Sequence, residues 1–247
     1  MHAFHAMHRE VVGAGLARQR LTADIAHDLG TPLTVMQGTL EGLLDGTFQP
    51  TPARLERLHT ETLHMAQLVA DLRLLALAEA GELHLNLETL RALEVLDSVA
   101  GAFASAAEAA GVTLAAHAAP GLSLRADPLR LSQVLRNLVA NALAHTPPGG
   151  TVSLAAEEDG AGLRFDVTDS GSGIAPADLP HVFERLYRAD AARHGGGSGL
   201  GLSIARSVVE AHKGRIWLSS EAGQGTQVSF WLPLGPTGGL QVLGPPA

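Results

Sequence analysis

Residues 22–33 read TADIAHDLGTPL and set one histidine, His27, inside a helical apolar pattern. Leu21, Ile25, Leu29, Met36, Leu40 and Leu43 fall three, four or seven apart, which is the stripe of an amphipathic helix. His27 lies two residues from Ile25 and Leu29. At 3.6 residues per turn this is a rotation of roughly 200°, so its imidazole points away from the seam. Asp24 and Thr31 share its face, and Asp28 follows it directly. An exposed imidazole flanked by carboxylates and a hydroxyl suits proton transfer or nucleophilic attack. The chain has 12 histidines, and most are expected to be ordinary surface residues, so this stretch alone favours a solvated surface histidine.

Four later segments carry further polar groups. In NLVANALAHTPPGG, Asn137 and Asn141 stand one turn apart. Carboxamides are oxygen ligands for a hard cation such as Mg²⁺, which takes one or two protein ligands beside waters and phosphate oxygens. Asp169-Ser170-Gly171-Ser172-Gly173 ends an apolar run. Its carboxylate can accept from an exocyclic amine, and its glycines let the backbone approach a flat ring. In VFERLYRAD, Arg185 and Arg188 offer positive charge beside Phe183, Leu186 and Tyr187. The run from His194 to Leu202, HGGGSGLGL, leads into a helix, and glycines before a helix N-terminus present free N–H groups to an anion. A dinucleotide fingerprint is excluded because the run comes late rather than in a first strand–helix turn, and no G-K-[ST] of a Walker A loop occurs. Each segment alone is compatible with an ordinary turn or surface helix.

The elements that must position these groups follow from periodicity and punctuation. Residues 1–20 suggest a helix with Phe4, Met7, Val11 and Leu16 on its apolar side. The helix through His27 is expected to reach about Asp45, with a kink near Asp28 caused by Pro32. GTFQPTP at 46–52 breaks the chain, and Thr51-Pro52 opens a second helix ending near Gly81. Two helices of about 30 residues joined by a turn make an antiparallel hairpin. One hairpin cannot cover both of its apolar sides, so a homodimeric four-helix bundle is expected.

Beyond Leu83, strand-like runs at 83–88, 112–117, 122–127, 151–158, 163–170, 215–220 and 226–233 alternate with helices over about 91–110, 128–145 and 199–212. The fold class is therefore α+β: a helical hairpin followed by an α/β sandwich with helices on one face of a mixed sheet. The expected division is a linker helix over 1–20, the hairpin over 21–81, the sandwich over 82–233 and a flexible tail over 234–247.

Composition narrows the function. Apolar residues make up 46% and aromatics only 4%, so the core must be Leu, Val and Ala. A net charge of −8 without a basic block argues against nucleic acid as a partner. The absence of cysteine excludes disulfides and suits a reducing cytoplasm. No apolar run approaches the ~20 residues needed to cross a bilayer, and no signal peptide is visible.

HDLGTPL at 27–33 resembles the phosphoacceptor box of sensor histidine kinases, and the four later segments, in their order, resemble the Bergerat-type ATP-binding lobe of that family. The resemblance spans about residues 4–233, and 1–20 resemble the tail of a HAMP linker. It implies ATP-dependent autophosphorylation of His27, with Asp28 accepting or orienting its proton, and phosphotransfer to an aspartate of a response regulator. Asp28 and Thr31 also match the family's phosphatase pattern. Asn141 resembles the direct Mg²⁺ ligand and Asn137 its support. Asp169 resembles the acceptor of the adenine amine, with Gly171 and Gly173 shaping the pocket and Thr226 near the ring. Arg185 resembles the residue that reaches the γ-phosphate. Arg188 opens a lid over 188–198, and Gly197, Gly199, Leu200 and Gly201 form its hinge and phosphate end. The resemblance further implies a homodimer, a cytoplasmic location, and membrane attachment only through a sensor region that this sequence does not contain.

Two departures stand out. Ala144 replaces a common Lys or Arg, so that either a phosphate contact is missing or His145 supplies it, and Gly30 replaces a common Arg, which loosens the helix by up to about 1 kcal/mol relative to Ala. Two rival readings remain: another Bergerat-type ATPase, which needs no phosphoacceptor histidine, and a degenerate kinase acting as a dimeric scaffold.

Overall fold

A computed structural model describes residues 29–187 and 198–235. His27, Asp28, Arg188, Gly197, the 1–20 linker and residues 236–247 lie outside them. The chain divides into two compact units, Met1–Arg73 and Leu74–Ala247.

In the first unit, α1 is described over 29–44 and continues without a break through Pro32. The turn that follows is built on Phe48. Its N–H donates to the Gly42 carbonyl at 2.6 Å. Its ring lies so close to Gly42 that a β-carbon there would stand 2.4 Å from it, and Arg54 stacks over the ring at 4.5 Å. Any side chain at position 42 would therefore evict the aromatic plug of the turn. Helix α2, Pro52–Glu79, opens on its proline as expected. The Thr51 carbonyl accepts from Arg54 N and Leu55 N. Leu33, Val35, Leu40, Leu44, Leu55, Leu63 and Val69 are all exposed, Leu44 by 87%. A single copy thus leaves a long apolar surface in water.

The second unit is the sandwich. Its strands are β1 (Glu88–Arg91), β2 (Thr113–Ala118), β3 (Ser123–Ala126), β4 (Thr151–Asp159), β5 (Gly162–Asp169), β6 (Arg215–Glu221) and β7 (Gly225–Pro233). Five of them form a mixed sheet in the order β2-β4-β5-β7-β6, with β2 and β4 parallel and the other neighbours antiparallel. β1 and β3 pair separately as an antiparallel ribbon. The helices α3 (Ala92–Ala110), α4 (Pro128–His145) and α5 (Gly201–Ala211) cover the sheet. Alternation along β4 and β5 turns Val152, Leu154, Phe165 and Val167 inward against Leu96, Leu131, Leu135, Leu138, Ile204 and Val208. Phe165 faces Phe230 across the β5–β7 pair, and their rings stack at 4.8 Å. Each fully buried ring contributes about 1.5–3 kcal/mol of burial.

The strand expected over 83–88 is absent up to Leu87. Leu83 and Leu85 do turn half inward and His84 and Asn86 outward, as alternation requires. Among the described residues, however, no neighbouring strand pairs with their backbone. The Asn86 N–H donates instead to Asp127 Oδ2 at 2.9 Å, and pairing begins only at Glu88. At the other end, Leu234 is still tied to the sandwich, its N–H donating to the Ala161 carbonyl at 3.1 Å.

Asp127 joins three parts of this unit. Its Oδ1 caps α4 by accepting from Arg130 N at 3.0 Å, its Oδ2 holds Asn86, and its own N–H donates to His212 Nε2 at 3.1 Å. His212, 7% exposed, turns its Nδ1 to the Val208 carbonyl at 2.8 Å. That pair of bonds fixes the neutral imidazole with the proton on Nδ1. Burial holds His212 below its ordinary value, against the Val208 carbonyl and Asp127, which pull it up. The unfolded chain therefore takes up this proton first. The stability from His212 is complete above about pH 6.5 and is lost as pH falls through the lowered folded value. Urea midpoints measured from pH 7.5 downward are expected to fall more steeply for the wild type than for His212→Gln. Equal slopes would remove His212 as the cause.

Candidate functional site

α4 forms because Asp127 caps it, Pro128 fixes its first turn, and Leu131, Val134, Leu135, Leu138, Val139 and Ala142 recur on its buried face. The same period puts Asn137, Asn141 and His145, each four residues apart, along another face. At one end of that face Asn137 Nδ2 donates to the Gly201 carbonyl at 3.1 Å. A β-carbon on Gly201 would stand 3.7 Å from Asn137 and 3.9 Å from Asn141. The start of α5 therefore lies against both carboxamides. Asn137 is spent on positioning that helix, while Asn141 is exposed and available.

At the other end of the face, the His145 carbonyl accepts from Ser172 N at 3.2 Å. This fastens the Asp169–Gly173 turn to the end of α4. Asp169 Oδ1 accepts from Gly171 N at 2.8 Å and Thr226 N at 3.2 Å. Both bonds fall on Oδ1, which leaves Oδ2 for a donor from outside. Burial raises the Asp169 carboxyl above its ordinary value, while the two N–H donors and His145 pull it down. Its ionised form is thus a cost to the fold that grows as pH rises through the raised value, and an added donor at Oδ2 offsets that cost.

The glycines here are required by close approach. A β-carbon on Gly171 would stand 2.4 Å from the His145 carbonyl oxygen and 2.7 Å from Asp169 Oδ1. Gly173, at φ +65, has the Glu221 backbone directly over it. Gly171→Ala is therefore expected to cost about 1–3 kcal/mol of stability, as overpacking does, and to displace Asp169. A variant that melts like the wild type would show that the turn relaxes around the methyl.

Thr226 is held by more than its register opposite Asp169. Its Oγ1 lies 2.9 Å from Ser220 Oγ, which also accepts from Ile174 N at 2.9 Å. Ser220 thus clamps the turn to the β6–β7 end, a role the sequence reading missed. Its signal was the strict alternation of β6, which turns Ile216, Leu218 and Ser220 to the less exposed side.

Gly199, at φ +67, leads into α5 and packs on the Leu186 backbone; Leu186 N donates to the Gly199 carbonyl at 3.1 Å. Leu200, 1% exposed, is the N-cap residue of α5. Gly199 thus separates the backbone of the 182–187 segment from the helix start. The Arg185 side chain turns elsewhere, to Glu79.

The structure gathers Asn137, Asn141, His145, Asp169, Gly171, Gly173, Gly199, Leu200, Gly201 and Thr226 along one side of α4. Thr31 belongs to the other unit, where an open, shallow hollow on α1 is lined by Gly30, Thr31, Thr34 and Val35.

The donor set fits a cation held jointly with a ligand. Among the described residues no group of three or more His, Cys, Asp or Glu could hold a metal. An exposed carboxamide on Asn141 suits Mg²⁺ brought in with phosphate oxygens. Among the same residues, no helix is long and apolar enough to cross a membrane.

Two family models match the chain. "His Kinase A (phospho-acceptor) domain" matches residues 17–81, and "Histidine kinase-, DNA gyrase B-, and HSP90-like ATPase" matches 126–236. The signal transduction histidine-protein kinase BaeS of Escherichia coli (strain K12) is 34% identical over 219 residues, which are 88% of this chain and 47% of that protein. The solved histidine kinase AdeS of Acinetobacter baumannii superposes with a TM-score of 0.73 at 28% identity, covering 85% of this chain and 98% of that one. Full-length ShkA, solved in complex with AMPPNP, gives 0.65 at 28% identity over 89% of this chain and 45% of that one. The chain spans about half the length, or less, of the first curated relatives it matches.

Proposed function

The chain belongs to the sensor histidine kinases of two-component signalling, and from that membership we propose that it phosphorylates its own His27 from ATP and passes the phosphoryl group to an aspartate of a response regulator. The observation that carries this reading is the single face of α4. Through Asn137 it meets the helix start at Gly201, and through the His145 carbonyl it meets the turn that holds Asp169. One helix therefore sets the distance between an anion-binding helix terminus and an acceptor for an amine.

Asp169 Oδ2 accepts from the exocyclic amine of adenine, and Gly171 and Gly173 let the ring lie on the backbone. The N–H groups at the start of α5 and the lid glycines meet the phosphates, and His145 supplies the contact that Ala144 does not. Asn141 is the residue that would hold Mg²⁺, which when bound neutralises charge on the phosphates. Arg185 is turned to the γ-phosphate during transfer, and Arg188 stands at the entry to the lid. Asp28 holds the proton on one nitrogen of His27 so that the other, neutral nitrogen attacks in line. An N–P bond forms, the bond from the γ-phosphorus to the bridging oxygen breaks, and ADP leaves with that electron pair.

The exposed apolar residues of the hairpin support a homodimer in which two copies close a four-helix bundle. Incubation with γ-labelled ATP tests the enzyme reading. Acid-labile, base-stable label on the chain is expected, and a chain that takes up none is not a kinase of this kind.

The hydroxyl of Thr31, one turn beyond His27, is positioned to hold a water in line with a phospho-aspartate. Thr31→Ala is expected to keep autophosphorylation while dephosphorylation of the regulator drops about tenfold or more, in the range of a single positioned group. Threonines in helices also bond the carbonyl a turn back, and a purely structural Thr31 would lower both rates in parallel. Both rates measured on one preparation decide between these outcomes.

A further inference from the structure

Arg185 is already occupied. Its Nη2 stands 2.5 Å from Oε1 of Glu79, the last residue of α2; the arginine side chain is 21% exposed and the glutamate 63%. Leu74 and Leu75, one turn earlier, are 3% and 1% exposed, so the end of α2 that carries Glu79 is anchored. Leu186, next to Arg185, is bonded to Gly199, at the entrance to the helix start that faces Asn137 and Asn141. The guanidinium thus springs from the border of the phosphate end and is held there by a carboxylate.

We propose that Glu79 is a positioning residue that holds Arg185 in the nucleotide-free chain and yields it to the γ-phosphate of ATP. This rests on the reading of the α4 face as an ATP site. A guanidinium meets a carboxylate and a phosphate through the same planar fork of N–H donors, so the two compete for it. The pair is open to water on the glutamate side, where such ion pairs are weak, and a γ-phosphate with more charge displaces it at little cost. ADP lacks that phosphate and leaves the pair closed. The end of α2 is therefore tied to the 182–187 segment without nucleotide and with ADP, and released with ATP.

Calorimetric titration of the full chain with Mg·AMPPNP and with Mg·ADP tests this, using wild type, Glu79→Gln, Arg185→Gln and the double variant. Glu79→Gln is expected to tighten AMPPNP binding about 2- to 5-fold, the range of an exposed ion pair, and to leave ADP binding unchanged. Arg185→Gln is expected to lose the preference for AMPPNP over ADP, and adding Glu79→Gln to it should change nothing. A Glu79→Gln effect that is equal for both nucleotides, absent, or preserved without Arg185 would overturn the proposal while leaving the ATP site standing. Failure of the wild type to bind either nucleotide would overturn both.

Discussion

His27→Gln is expected to take up no label from ATP and to bind Mg·ATP as the wild type does. Glutamine keeps a polar side chain of similar reach but has no neutral ring nitrogen to attack phosphorus. Labelling should therefore fall to background rather than by a modest factor. Nucleotide affinity should hold because position 27 belongs to the unit Met1–Arg73, whereas Asn141, Asp169 and Gly201 belong to Leu74–Ala247. Calorimetry beside the labelling assay separates the two effects. Residual acid-labile label in this variant would place the acceptor on another of the chain's 12 histidines.

Asn141→Asp is expected to have the second-largest effect. The substitution is nearly isosteric and the side chain is exposed on the α4 face, so the fold should melt within about 0.5 kcal/mol of the wild type, as surface changes do. The new carboxylate, however, faces the phosphates and changes the ligand set offered to Mg²⁺. Mg·ATP affinity and labelling should both fall by about 100-fold or more, the scale on which the loss of one charge-stabilising group is felt. Asn137→Asp would be less diagnostic, because Asn137 also supports the Gly201 carbonyl. Labelling of Asn141→Asp at the wild-type rate would move the metal site elsewhere.

The elements that carry the site were legible because each has its own local signal. The helix expected over about 128–145 matches α4, and the one-turn spacing of Asn137 and Asn141 holds within it. β4, β5 and β7 came from apolar alternation, within one residue of the observed ends. α5 starts two residues later than its periodicity implied, because Gly199 takes a left-handed φ and Leu200 serves as the cap. The run at 83–88 shows the limit of alternation, which reports which side chains turn inward but not whether a neighbouring backbone is present to pair. The bonds that give the site its shape were hidden for a related reason. Asp127 to His212, Ser220 to Thr226, and Glu79 to Arg185 join residues far apart in sequence or on different elements, and a pair of single side chains leaves no periodic trace. The backbone contact of the His145 carbonyl was hidden too, since only the imidazole was visible as a candidate.

Mapping the label in the wild-type chain decides whether the γ-phosphoryl group of ATP moves onto His27. The chain is incubated with Mg·ATP, digested at neutral to basic pH so that phosphohistidine survives, and fragmented by mass spectrometry. One principal phosphopeptide is expected, spanning residues 22–33, with the phosphoryl group on His27 and its loss on brief acid treatment. A phosphoryl group on any other residue, or ATP hydrolysis with no phosphopeptide at all, would contradict it.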